Sequence, residues 1–244
     1  MFNKLTAKTI KFIPDSKDVE NFVAPPRPAK LTLPDWYKKT TSYYGGNQIE
    51  VPEDFSEPKT FKTCMPFLDI MGAGYVQETW VDLFIEHDGK DWVRYATPNG
   101  RVQMVSIRDQ KQLGKMPRMD GHEMFFLNWA RVWNPVLPKG YSAIFQHPAY
   151  RNDLPFTSIS AIIDSDRYYA AGKVGFFIKE GFQGVIPAGT PMYQIIPFKR
   201  DSWNSEVISL TGDEVLQQDK QVFNTRYTFL GGYKKNYWNR KEFN

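Results

Sequence analysis

The sequence has one cysteine, three histidines and no apolar run near the roughly 18 residues that a bilayer-spanning segment needs. With Cys64 alone, no internal disulfide forms, and neither a Cys-x-x-Cys pair nor a Cys/His zinc set can be assembled. Met1 to Ile13 alternates polar and apolar residues, without the continuous apolar stretch and small-residue cleavage site of a secretory signal, so a reducing cytoplasm is the expected compartment. His87, His122 and His147 include no two at the i, i+2 or i, i+4 spacing that puts two ligands on one face. His122-Glu123 lacks the second histidine of a zincin helix. No metal and no cofactor is expected.

Catalytic signatures are missing as well. There is no Gly-x-Ser-x-Gly elbow, no Gly-x-x-x-x-Gly-Lys-Ser/Thr loop and no Gly-x-Gly-x-x-Gly turn. Cys64 lies in the apolar setting TCMPF with Lys62 nearby and reads as a buried, inert thiol. Charge of one sign is scarce too: 31 basic residues stand against 27 acidic ones, mostly interspersed, so the total of +4 gives no nucleic-acid footprint. Only the end of the chain concentrates positive charge among aromatics, with Lys234, Lys235, Arg240 and Lys241 beside Tyr233, Tyr237, Trp238 and Phe243. That cluster admits three readings: a strap-like C-terminus, a protein interface, or a short nucleic-acid contact through Lys234, Lys235, Trp238 and Arg240.

What the chain does have is aromatic bulk and turn punctuation. Its 244 residues include 18 Phe, 13 Tyr and 7 Trp, enough apolar area for a sizeable core and against disorder throughout. Runs rich in β-branched and aromatic residues, divided by Gly, Asp, Asn and Pro, predict strands over Thr60 to Pro66, Gly74 to His87, Trp92 to Tyr95 and Arg101 to Ile107. Further strands are predicted over Tyr141 to His147, Ile159 to Asp164, Val174 to Lys179, Gly184 to Ile186 and Met192 to Lys199. Phe125 to Trp133 fits a strand or a helical turn and is taken as a strand. The Asp-Gly pair in HDGKD, between VDLFI and WVRYA, predicts a hairpin. Leu5 to Ile13 reads as a strand, Tyr43 to Pro58 as loop and hairpin, and Ser209 to Val222 as the clearest helix.

Val23 to Trp36 carries Pro25, Pro26, Pro28 and Pro34, which fix φ and remove donors, so an extended polyproline-like arm ending in the aromatic anchor Trp36-Tyr37 is expected. It either packs over its own domain or lies on a neighbouring subunit. The fold class is therefore mainly β, a sandwich or β-clip-like barrel: residues 1–59 supply a strand and the strap, 60–208 the β core, and 209–244 a short helix and the basic aromatic tail.

One segment reaches further. In Ile159 to Arg200 a strand ends in Asp164-Ser165-Asp166, an aromatic pair follows, and Gly189-Thr190-Pro191-Met192-Tyr193-Gln194 leads a later strand. This resembles the trimeric dUTPase and dCTP deaminase superfamily. The resemblance implies that Asp164 orients an attacking water, Tyr168 stacks under a deoxyribose and Gln194 contacts base or phosphate. Several departures stand against turnover. Arg167 is inserted before Tyr168, Val76 occupies the position of the family's metal-associated Asp, and Leu154 to Thr157 replaces its Pro-Arg-Ser phosphate turn, so neither position offers a charge for a triphosphate.

The blocks PPRPAK, LPDWYKK, CMPFLDIMGAGYV, PKGYSAIFQHP, IIDSD and IPAGTPMYQIIPFKR resemble an uncharacterised family of tailed bacteriophages and some bacteria. That resemblance implies a phage setting, in the host cytoplasm or the virion, and brings no activity with it. The resulting expectation is a non-enzymatic virion or assembly component that forms a symmetric homo-oligomer through Pro25, Pro26, Pro28 and Trp36 and meets other virion proteins. The alternative is a dUTPase-like nucleotide-binding or nucleotide-hydrolysing protein that uses Asp164, Tyr168 and Gln194.

Overall fold

A computed structural model describes residues 8–44, 59–98, 100–226 and 232–244. Residues 5–7 of the first predicted strand and most of the Tyr43 to Pro58 loop lie outside them. In chain order the elements are β1 (Lys11–Pro14), α1 (Lys17–Phe22), β2 (Arg27–Pro28), α2 (Asp35–Lys39), α3 (Met65–Gly72), β3 (Tyr75–Glu78), β4 (Leu83–His87) and β5 (Val93–Ala96). Then come β6 (Val105–Ile107), β7 (Leu127–Arg131), β8 (Trp133–Val136), β9 (Tyr141–Gln146), β10 (Phe156–Ser158) and β11 (Ala161–Ile163). The last are β12 (Gly172–Ile178), β13 (Gly184–Ile186), β14 (Pro191–Lys199), α4 (Gly212–Arg226) and α5 (Gly232–Asn236).

The protein is mainly β. A five-stranded sheet in the order β11-β9-β14-β3-β2 faces a four-stranded sheet β10-β12-β7-β6, and the three-stranded sheet β13-β4-β5 and the pair β1-β8 flank them. All strand pairs are antiparallel. Period-two alternation explains the sandwich. In β12, Val174, Phe176 and Ile178 turn inward, as do Tyr193 and Ile195 of β14 and Leu83 and Ile85 of β4, and these side chains meet in one core with Trp129, Phe145 and Phe156. Trp129 stacks on Phe176 with ring centroids 3.8 Å apart, and its indole N–H donates to Ser158 Oγ.

Local chemistry accounts for the turns. The Asp-Gly hairpin forms as expected between β4 and β5: Gly89 takes φ +80°, and the Asp88 carboxylate accepts from the backbone N–H groups of Lys90, Asp91 and Trp92. At the start of α4, Thr211 Oγ1 accepts from the Glu214 N–H while the Glu214 carboxylate accepts from the Thr211 N–H, which is a capping box.

Three expectations need correction. Thr60 to Pro66 is not a strand. Thr60 caps a 3₁₀ turn over Phe61–Thr63, and Pro66, its φ preset for a helix start, lies in the first turn of α3. Gly72 to Gly74 therefore links a helix to a strand, with Gly74 at φ +66°. Cys64 sits between these elements, half-buried.

The proline strap, finally, is not a continuous polyproline arm. Val23 and Ala29 are buried, Arg27–Pro28 pairs with β3, Ala29–Thr32 forms a 3₁₀ turn, and α2 carries Trp36 and buried Tyr37. Pro26 is buried, Pro28 half-buried and Pro25 exposed. The strap thus lies on its own domain along this length.

Candidate functional site

The Asp164-Ser165-Asp166 turn leaves β11 beside the end of β14, and Arg200 ties it down. Asp164 Oδ1 accepts from Ser142 Oγ at 2.7 Å and lies 2.9 Å from Arg200 Nη1. Asp166 accepts from the same guanidinium at 2.8 Å and from the Gly140 N–H at 2.8 Å. The Arg200 hydrogen bonds, with help from Gly140, hold the Asp166 carboxyl down at about 2, and Ser142 and Arg200 keep Asp164 below the ordinary carboxylate range. Both acids are thus ionised at neutral pH, and the one Arg200 charge is shared between them. Asp164 remains half-exposed.

Tyr168 lies on the surface, where its ring covers the Arg131 guanidinium at 5.5 Å and its hydroxyl donates to Ala171 O. Arg131 is almost wholly buried between that ring and Phe145, against Gly172, where a Cβ would stand 2.7 Å from Nη2. Its Nη2 donates to Ala170 O at 2.6 Å, while Nε and Nη1 find no partner among the described residues. Burial works against that charge and pushes the neighbouring Tyr193 phenol upward.

Gln194 is buried and fully used: Nε2 donates to Ile70 O at 2.9 Å and Ala73 O at 2.6 Å, and Oε1 accepts from the Ala149 N–H at 3.1 Å. It fastens α3 and the β9–β10 connection to β14, with no donor left for a base or phosphate. The structure does not assemble the three residues into one site. Asp164 binds Ser142 at one end of β9, whereas Gln194 pairs with Gln146 at the other, four residues or roughly 13 Å away.

Between β11 and β12 the sandwich opens into a cleft of about 140 Å³, lined by Ile159, Ile163, Phe126, Arg108, Lys173 and Asn128. Asn128 is buried, and its Nδ2 has no hydrogen-bond partner among the described residues. Arg108 lies over the Phe126 ring at 5.6 Å. Among the described residues no acidic side chain lines the cleft, so it suits a small ligand that carries an acceptor and negative charge.

No family model and no curated protein matches the sequence. In structure the chain is similar to a dUTPase from phage phi11 of S. aureus at 8% identity, over 45% of this chain and 99% of that one, with a TM-score of 0.26.

The histidines stay apart. His87 Nε2 meets Phe182 O, His122 bridges Asp120 O and Thr157 Oγ1, and His147 bonds to Arg151 O while its Nδ1 accepts from the Ser158 N–H. Among the described residues, no group of three His, Cys, Asp or Glu side chains is placed to hold a metal ion. Nor is any described helix long and apolar enough to cross a membrane.

Two surfaces complete the inventory. The basic aromatic tail returns to its own domain: Trp238 Nε1 and Lys241 Nζ both donate to Asp69, Arg240 pairs with Glu242, and Phe243 meets Tyr75 edge-on. Lys234 and Lys235 remain exposed on α5.

The strap in turn supports an aromatic patch that sequence reading missed except for Trp36. Trp36 donates from Nε1 to Tyr150 O, Tyr150 packs on Phe67 at 5.0 Å, and Phe67 on Phe61 at 4.7 Å. Phe61 is 60% exposed and Trp36 41%. Tyr150 is the one non-glycine residue at positive φ among those described.

Proposed function

We propose that this protein is a non-enzymatic assembly component, of the kind a virion or its assembly uses, which forms a homo-oligomer through the outer face of its proline strap. The observation that carries this reading is the aromatic patch of Trp36, Phe61, Phe67 and Tyr150. Trp36, Phe61 and Tyr150 are open to water and fixed by contacts with one another or with half-buried Phe67, which is the composition of an interface core rather than of ordinary surface. Pro25 stands exposed at the start of the strap and Trp36 at its end, while Pro26 and Pro28 serve the chain's own domain. The acids nearest to a catalytic arrangement, Asp164 and Asp166, are engaged by Arg200. Light scattering of the full chain at micromolar concentration tests the reading. An oligomer that Trp36→Ala with Phe61→Ser reduces to monomers supports it, and a monomeric wild type overturns it. Mass spectrometry of purified phage particles tests the virion setting.

A second reading, nucleotide binding, is favoured by one observation: the unpartnered Asn128 amide in a cleft rimmed by Arg108 and Lys173. Calorimetry with deoxynucleotides and Asn128→Ala decides it, and turnover that Asp164→Asn abolishes would replace the first reading.

A further inference from the structure

After Arg200 the chain leaves the domain. Residues 201–223 are exposed without interruption, and among the described residues no backbone hydrogen bond ties 202–210 to the rest of the protein. A solvated excursion of this length is ordinarily polar. This one is not: Trp203 is 88% exposed, Val207 100% and Leu216 68%, with Ile208, Leu210, Val215 and Val222 also open. On α4, Val215 and Val222 stand two turns apart on one face, and Leu216 adjoins it. Seven large apolar residues open to water along one segment are more than ordinary surface carries and mark an interaction site.

The excursion is also not a loose end. At its start, Arg200 is pinned to Gly140 O through its N–H and to Asp166 through its guanidinium. Beyond it, Trp238 and Lys241 hold Asp69 on α3. The chain leaves its domain, displays apolar side chains and returns.

Charge identifies the occupant. Residues 201–226 contain Asp201, Glu206, Asp213, Glu214 and Asp219 against Lys220 and Arg226, so this segment is net acidic while the rest of the chain is more basic than the +4 of the whole. The aromatic strap patch is flanked by Lys38 and Lys39 of α2 and by Lys62 beside Phe61 against Asp35, which pairs with Lys38, so the flank keeps a positive excess. An acidic, apolar arm and a basic, aromatic patch on the same chain are complementary.

We infer that residues 201–226 form an intersubunit clasp that seats on the strap patch of a second copy of this chain. This rests on the homo-oligomer reading above and names the patch's partner. Arm and patch are different surfaces, so the contact is heterologous, and its repetition closes a ring if the rotation allows or builds a filament if it does not.

The full chain tests the clasp. Val207→Asp with Leu216→Asp lies wholly on exposed positions and is expected to fold, as circular dichroism will check, while weakening self-association at least about 100-fold, equivalent to ~2.7 kcal/mol. In addition, a benzophenone photocrosslinker in place of Val207, in a mixture of isotopically light and heavy protein, is expected to give mixed-isotope products with residues 34–44 or 59–67. Products within one copy, or mixed products elsewhere, overturn the clasp. A wild-type oligomer that the arm substitutions leave intact also overturns the clasp while the homo-oligomer reading stands. A wild-type chain that remains monomeric at high micromolar concentration removes both.

Discussion

Arg200 grips Asp166 with both arms of its guanidinium at the point where β14 ends and the exposed arm begins. The carboxylate also accepts from the Gly140 N–H, and Arg200 reaches Asp164 and the Ser142 hydroxyl. One ion pair thereby joins the β8–β9 turn, the turn after β11 and the end of β14. The Asp166 side chain is only 3% exposed, so the pair is shielded on the carboxylate side while the guanidinium keeps water contact.

This geometry sets an acid limb for stability. Asp166 is held at about 2 in the folded protein against an ordinary 3.8, so its contribution is complete above about pH 4 and fades as pH falls toward 2. Asp166→Asn is expected to flatten the loss of urea stability between pH 4 and pH 2 and to lower stability at pH 7. An unchanged acid limb in the variant would show that the pair adds nothing.

A second pH effect lies higher. Burial lowers the His147 pKa below 6.5, and its Nε2–H already serves Arg151 O while Nδ1 accepts from Ser158. The unfolded chain takes up a proton as pH drops through 6.5 before the folded chain does, so stability declines over that window. His147→Gln removes this slope, and thermal melts at pH 7.5 and pH 5.5 should converge by comparison with wild type.

Gly74 tolerates no side chain. At φ +66° an added Cβ would lie 2.0 Å from Ile195 O, inside the paired strand, where nothing flexible can yield. Gly74→Ala is expected to cost more than about 3 kcal/mol. Denaturant titration measures it, and a cost under 1 kcal/mol would refute the close approach.

Gln194→Ala strips partners from Ile70 O, Ala73 O and the Ala149 N–H at once, an expected loss of about 3 kcal/mol. Hydrogen exchange should rise first at Ala149 and along α3, which separates a fastening role from ligand contact.

Much of the sandwich was legible because its strands alternate cleanly. β12 and β14 were read within two residues, and Gly184–Ile186 fell on its predicted bounds. Asp-Gly is a local signal, and local signals survive without tertiary knowledge. α3 was missed because a Pro66 that starts a helix and a Pro66 that ends a strand look alike in a short aromatic run.

The candidate site was harder to read. Gln194 was assigned to a ligand on motif spacing, yet its amide is spent on backbone groups more than 40 positions away or farther. Arg200 was quoted only as the end of a block, since its two acids lie over 30 residues upstream. The arm escaped notice because solvent exposure is a property of the folded chain: VISL in a sequence looks the same whether it is covered or bare.

The central place of β14 has a consequence for biosynthesis. β3 pairs on one side with Arg27–Pro28 and on the other with β14, which follows it by more than a hundred residues. As the chain emerges from a ribosome, β3 therefore waits with one row of amides and carbonyls open until most of the polypeptide has been made. Closure across such a sequence distance is slow, and an open strand edge is what nascent neighbours on a polysome can join. Translation speed upstream of β14, and chaperones that shield a waiting edge, should therefore govern the yield of correctly closed protein.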